Sequence, residues 1–138
     1  MHWTELISYA TLAFGALIGL GSLISPKWGA NVVRLQADPD PLKPGGFSEF
    51  RATYGGLFLM LHVMALVLTF HIPRTATDVL VLAPLTAAWI GAGVGRTLSL
   101  VLDRQENKGA GLIPIWIPIE ILLGLAIFAP FLQLFSTG

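Results

Sequence analysis

Cysteine is absent from this 138-residue chain, which rules out disulfides, thiolate nucleophiles and Cys-ligated metal centres. Charge is scarce: 12% of residues, eight Lys or Arg against eight Asp or Glu, for a formal net charge of zero. With its few cations scattered through loops and no basic face, the chain has no basis for a nucleic-acid partner. No Lys or Arg precedes Lys27. The start therefore lacks the positive region of a secretory signal, and the first apolar run is expected to stay in the protein. Neither Gly-x-Ser-x-Gly nor His-Glu-x-x-His occurs, so no hydrolytic set emerges. The series Gly91-x-Gly93-x-Gly95 lacks the spacing and the preceding strand of a dinucleotide loop, and reads instead as a thin helix face for close packing.

What is present is hydrophobicity: 54% of residues, with a mean hydropathy of +0.74. The apolar residues form four runs, from about Leu6 to Ile24, Arg51 to Phe70, Val79 to Leu102 and Leu112 to Phe135. Each is long enough to cross a hydrocarbon core of about 30 Å, which takes roughly 17–25 helical residues. The expected fold is all-α, a single integral membrane four-helix bundle. Pro26 should stop the first span and Pro84 bend the third, while Pro114 and Pro118 lie one turn apart in the fourth. Between the first two spans, Trp28, Val32 and Leu35 recur at helical spacing, the pattern of a short helix on the membrane surface. Gly15-x-x-x-Gly19 lets a second helix approach closely; Gly55, Gly56, Gly91 and Gly95 are read the same way.

Five loop cations, Lys27, Arg34, Lys43, Arg104 and Lys108, lie in the first and third loops, and only Arg74 lies in the second. The positive-inside rule places the first and third loops in the cytoplasm and both termini outside. On that orientation Arg96 lies roughly 9 Å and Glu120 roughly 12 Å deep from the cytoplasmic side, at about 1.5 Å per residue. Arg51 enters at the boundary. Glu49, Arg51, Tyr54, Arg96, Ser99, Asp103 and Glu120 are thus candidates to gather in one half of the bundle. Two readings stand. Arg96 and Glu120 form an internal ion pair, with Arg51 held by Glu49 or Asp103; or Arg51, Tyr54, Arg96, Ser99 and Glu120 receive a polar head group, Arg being suited to carboxylate or phosphate.

His62 falls near the midplane. Met60 and Met64 point away from it on a helix, so a three-residue copper site there is poor. A neutral His bonded to a carbonyl or hydroxyl is the expected state, with a pigment or metal contact as the rival. No cofactor is named by the sequence.

Arg51-Ala52-x-Tyr54-Gly55-Gly56-Leu57, Gly95-Arg96-x-x-Ser99-Leu100 and Glu120-x-x-x-Gly124 together resemble a widespread family of small bacterial four-span membrane proteins of uncharacterised function. The resemblance runs from the Gly21-x-x-x-x-Pro26 ending of the first span to Gly124. It implies a four-helix protein of a bacterial inner membrane, marked at Arg51, Tyr54, Gly55, Gly56, Arg96, Ser99 and Glu120, and it implies no reaction. Two features depart from it: His62 stands where a small residue is usual, and the third loop, Asp103 to Lys108, is more highly charged. The expected function is that of a non-enzymatic accessory subunit of a larger membrane complex, or a homo-oligomer, with the lipid bilayer as its medium. The rivals are a binder or carrier of a lipid-like or isoprenoid molecule at Arg96 and Glu120, and a membrane enzyme acting on an apolar substrate.

Overall fold

The structure is a computed structural model that describes residues 2–36, 40, 42, 46–71, 79–103 and 113–133. Among these there is no strand. The helices are α1 (Trp3–Ile24), α2 (Pro26–Val33), α3 (Gly46–Phe50), a π-helical segment (Arg51–Leu57), α4 (Phe58–His71), α5 (Ala83–Leu102) and α6 (Ile113–Ile127), followed by a 3₁₀ turn (Ala129–Leu132). Three stretches are long and apolar enough to cross a membrane: Trp3–Ile24, Phe47–His71 and Ala83–Leu102. At 22, 25 and 20 residues they measure about 30–38 Å at 1.5 Å per residue. The chain divides into two compact units, Leu12–Phe70 and the pair of segments Met1–Thr11 and His71–Gly138.

Proline sets most helix boundaries. Pro26 takes the first turn of α2 right after α1 ends, a position where a missing N–H costs nothing. α2 then stops because Arg34 adopts a left-handed conformation (φ 60°, ψ 36°) and donates its N–H to Ala30 O. The surface helix therefore ends short of Leu35. The third run is interrupted by a turn at Val81 and Leu82, and Pro84 occupies the first turn of α5 directly after it. The fourth run is not one continuous α-helix, since α6 ends at Ile127 and Pro130 lies in the 3₁₀ turn. The loop residues Lys43, Arg74, Arg104 and Lys108, on which much of the orientation argument rests, lie outside the described residues.

In the unit Leu12–Phe70, α1 runs antiparallel to the helix entered at Gly46, along a seam of glycines. Built onto Gly15, a Cβ would lie 2.1 Å from His62 Cδ2; on Gly19, 2.5 Å from Leu59 N; on Gly55, 2.8 Å from Leu23 Cα. Real side chains do not tolerate such distances, so these three positions bring the backbones together. Gly56 differs, because its nearest neighbour is Arg51 O at 3.7 Å, an ordinary contact with room for a methyl group. α2 folds back over the end of α1, with Trp28 against Gly21 and Gly29 against Ser22 and Phe50.

In the other unit, α5 and α6 pack against each other. Gly93 faces Ile121 and Ile117 O, and Gly124 faces Ile90 and Thr86 O, each with under 3.0 Å to spare for a Cβ. Gly91 and Gly95 do not pack here: no described atom lies within 4 Å of their Cβ positions. Helical geometry explains the split. At about 100° per residue, positions 91 and 95 share a face that lies opposite Gly93.

Candidate functional site

The polar candidates fall into two groups, one in each unit. On α5 and α6, Arg96 Nε donates to both carboxylate oxygens of Glu120, at 2.8 and 2.9 Å. Glu120 is buried, while the Arg96 side chain keeps 28% of its surface exposed. The close approach at Gly93 and Gly124 brings the two helices near enough for this pair. A buried carboxylate left without its partner would be costly, and the pairing offsets that. Only Nε of Arg96 is used. Among the described residues, no acceptor meets its two terminal nitrogens. Ser99, half-buried one turn on, accepts the Asp103 N–H at 2.9 Å and closes α5.

The second group surrounds the start of the second membrane-length helix. Arg51 is not held by Glu49 or Asp103; its Nη1 donates to Leu23 O near the end of α1. The reason is local. The last carbonyls of a helix lack intrahelical donors, and a cation is favoured there by the helix dipole. The segment Arg51–Leu57 is π-helical, a form that is rare and often marks functional positions. Tyr54 stacks on Phe50, with ring centroids 4.7 Å apart and planes inclined at 18°. Ala30, Leu35, Gln36, Phe47, Glu49, Phe50, Thr53 and Tyr54 line a recess of about 200 Å³.

His62 is fully buried. Its Nδ1 lies 2.7 Å from Phe58 O, so Nδ1 carries the proton and donates it, because a carbonyl only accepts. The ring lies 4.4 Å from that of Phe58 and over Gly15. Met60 and Met64 are 57% and 51% exposed, directed away from the His.

The family model of the domain of unknown function DUF4345 matches residues 4–130, from the second residue of α1 to beyond the end of α6. The chain belongs to this family. No curated protein and no solved structure matches it.

The DUF4345 chain also holds polar residues that reading by composition and spacing passed over. Thr4, Glu5, Ser8 and Thr11 are all buried. Glu5 Oε2 accepts the His2 N–H at 2.8 Å, which satisfies one orphan donor at the start of α1 in the manner of a capping box. Ser8 Oγ donates to Ile127 O at 2.7 Å. That carbonyl ends α6, and the N–H four residues on, at Phe131, bonds to Phe128 O instead. Gln133 donates to Thr4 Oγ1. A signal was available in the chain: Thr4, Ser8 and Thr11 recur on the α1 face that carries Gly15 and Gly19.

Proposed function

We propose that this chain is a small, non-enzymatic accessory subunit of a bacterial inner membrane, a four-span bundle that docks on a larger membrane complex through α5. The observation that carries this reading is the empty glycine face of α5. Gly93 engages α6, whereas Gly91 and Gly95 have no described atom within 4 Å, and Ala87 and Ala88 on the same side are exposed. In a bilayer, where hydrophobicity does not distinguish helix from lipid, small residues at four-residue spacing let a second helix approach closely. The orientation that goes with this reading puts both termini outside, with five loop cations on the inner side against Arg74 on the outer.

The test is purification of the tagged full chain in mild detergent, wild type beside Gly91→Leu and Gly95→Leu. A stoichiometric protein partner is expected with the wild type and is lost from both variants. The thermal midpoint of the isolated chain should move little, because neither glycine meets a neighbour among the described residues. Wild-type chain that arrives without a protein partner refutes the proposal.

A second reading rests on Arg96. Its terminal nitrogens meet no acceptor among the described residues, and a guanidinium edge binds phosphate or carboxylate in pairs. On this reading the chain binds a lipid-like molecule whose anionic head meets Arg96, with Glu120 holding the guanidinium in place. Mass spectrometry of lipids that co-purify with wild type and Arg96→Gln separates it from the first.

A further inference from the structure

The recess between α2 and the α3–π stretch has a definite chemistry. Among the described residues, Phe47, Phe50 and Tyr54 supply three aromatic rings to its lining and Glu49 the one charged side chain. Among the described residues no cation or hydrogen-bond donor answers that carboxylate, and no partner meets the Tyr54 hydroxyl. The Phe50 and Tyr54 rings, both in the lining, stack on each other and so hold each other in place. Phe50 packs closely on α2, where a Cβ built on Gly29 would lie 2.8 Å from Phe50 Cε1. The aromatic surface is therefore built before any ligand arrives.

We infer that this recess binds a substituted ammonium group, the ethanolamine or choline end of a zwitterionic lipid. Aromatic faces attract cations through the ring quadrupole, and a cage of rings is the recurring receptor for alkylated ammonium. Glu49 adds the opposite charge. The described lining does not suit a hard metal ion, since calcium or magnesium needs about six oxygen ligands and it offers one carboxylate. An anionic head group would meet Glu49 with like charge. The volume also points to a small group: about 200 Å³ falls below the roughly 300–1,000 Å³ of sites for drug-sized ligands.

Position favours the lipid as the source. The recess opens at the start of the membrane-length stretch Phe47–His71, which on a spanning helix is head-group depth. Its second wall is α2, whose Trp28 is 47% exposed, a residue type suited to the interface. Glu49, Thr53 and Tyr54 reach the same recess across the junction of α3 with the π-helical segment, which sets their relative directions. This proposal is independent of the α5 face, because every residue it uses belongs to the unit Leu12–Phe70.

The experiment is native mass spectrometry of the full chain released from nanodiscs of equal phosphatidylethanolamine and phosphatidylglycerol. Preferential retention of phosphatidylethanolamine is expected for the wild type. Glu49→Gln should lower it at least tenfold while leaving the thermal midpoint unchanged, as expected for an exposed carboxylate with no partner among the described residues. Tyr54→Phe, which keeps the ring, should retain the lipid, and Tyr54→Ala should lose it. Millimolar phosphoethanolamine is then added: displacement of the lipid shows that the free head group suffices, and no displacement assigns the site to the intact lipid. Equal retention of phosphatidylglycerol by the wild type, or a Glu49→Gln variant that holds phosphatidylethanolamine as well as the parent, overturns the proposal.

Discussion

Replacing Gly15 by Ala adds one methyl group where the seam between α1 and α4 has no space. The new carbon would sit 2.1 Å from His62 Cδ2, 2.2 Å from Nε2 and 2.9 Å from Cε1. An ordinary contact needs more than an ångström of retreat. The His62 ring cannot retreat without cost, because Nδ1 is bonded to Phe58 O at 2.7 Å and the ring leans on Phe58. Separating the helices is no easier, since the next position along, Gly19, already faces the Leu59 backbone. Overpacking costs about 1–3 kcal/mol, and loss of the His62 bond adds about 0.5–1.5 kcal/mol. Against this, Ala is favoured over Gly in a helix by up to about 1 kcal/mol. A net destabilisation of about 1–3 kcal/mol is expected from these terms.

The decisive comparison adds His62→Ala. Alone, it opens a cavity and should cost about 2–5 kcal/mol by analogy with other large-to-small core changes. Combined with Gly15→Ala, the extra methyl enters vacated space, so the double variant should be better than the sum of the singles by at least about 1 kcal/mol. Unfolding in mixed detergent, followed by the fluorescence of the four tryptophans, measures all four proteins. Additive losses, or a Gly15→Ala protein as stable as the parent, would refute the reasoning.

In the Arg96–Glu120 pair, Arg96→Met should destabilise more than Glu120→Leu, because the group stranded by the first is a buried carboxylate and by the second a guanidinium still 28% exposed. The double variant should recover much of a single loss of about 3–5 kcal/mol, and a double-mutant cycle on detergent stability checks both points; additivity would deny the coupling. Ser8→Ala leaves the Ile127 carbonyl without its donor and should cost about 1–2 kcal/mol on scales for interhelical hydrogen bonds in membranes; an unchanged midpoint by the same unfolding assay would show that water or another group replaces the hydroxyl. A periplasmic activity reporter fused after Gly138 is expected to be active, since five loop cations oppose one; an inactive reporter with a well-expressed fusion would reverse the orientation.

How far the chain could be read in advance depended on what each residue's role rests on. Run length and hydropathy foretell membrane-length helices because they reflect the thickness of a bilayer. Counting residues from helix ends placed Arg96 and Glu120 at nearly equal depth, and they meet. The sequence could not say which flank of a helix receives a neighbour. Gly91, Gly93 and Gly95 look like one series, yet only Gly93 meets α6. Arg51 was matched to carboxylates by charge, whereas the group that holds it is a carbonyl at the end of α1, invisible until that helix end is located. Ser8 was silent for the same reason: its acceptor is a backbone oxygen 119 residues away. Nothing in the composition of Arg51–Leu57 announces a π-helical turn, because it differs from an α-helix only in which donor answers which carbonyl.

That turn bears on how the family can lose or gain a residue. A hydrogen bond that skips one residue more than usual is what an α-helix keeps after inserting a single amino acid without rotating its two ends. Deleting one codon within Arg51–Leu57 should therefore close the segment into plain α-helix, with α3 before it and the Leu59–His62 side of α4 after it still facing as they did; the contour of the aromatic recess is what would change. The same deletion between Gly93 and Arg96 has no slack to absorb it. It would turn the rest of α5 by about 100° and carry Arg96 away from Glu120. Of the two places, only the first gives the gene freedom to alter a binding surface while leaving the membrane scaffold in register.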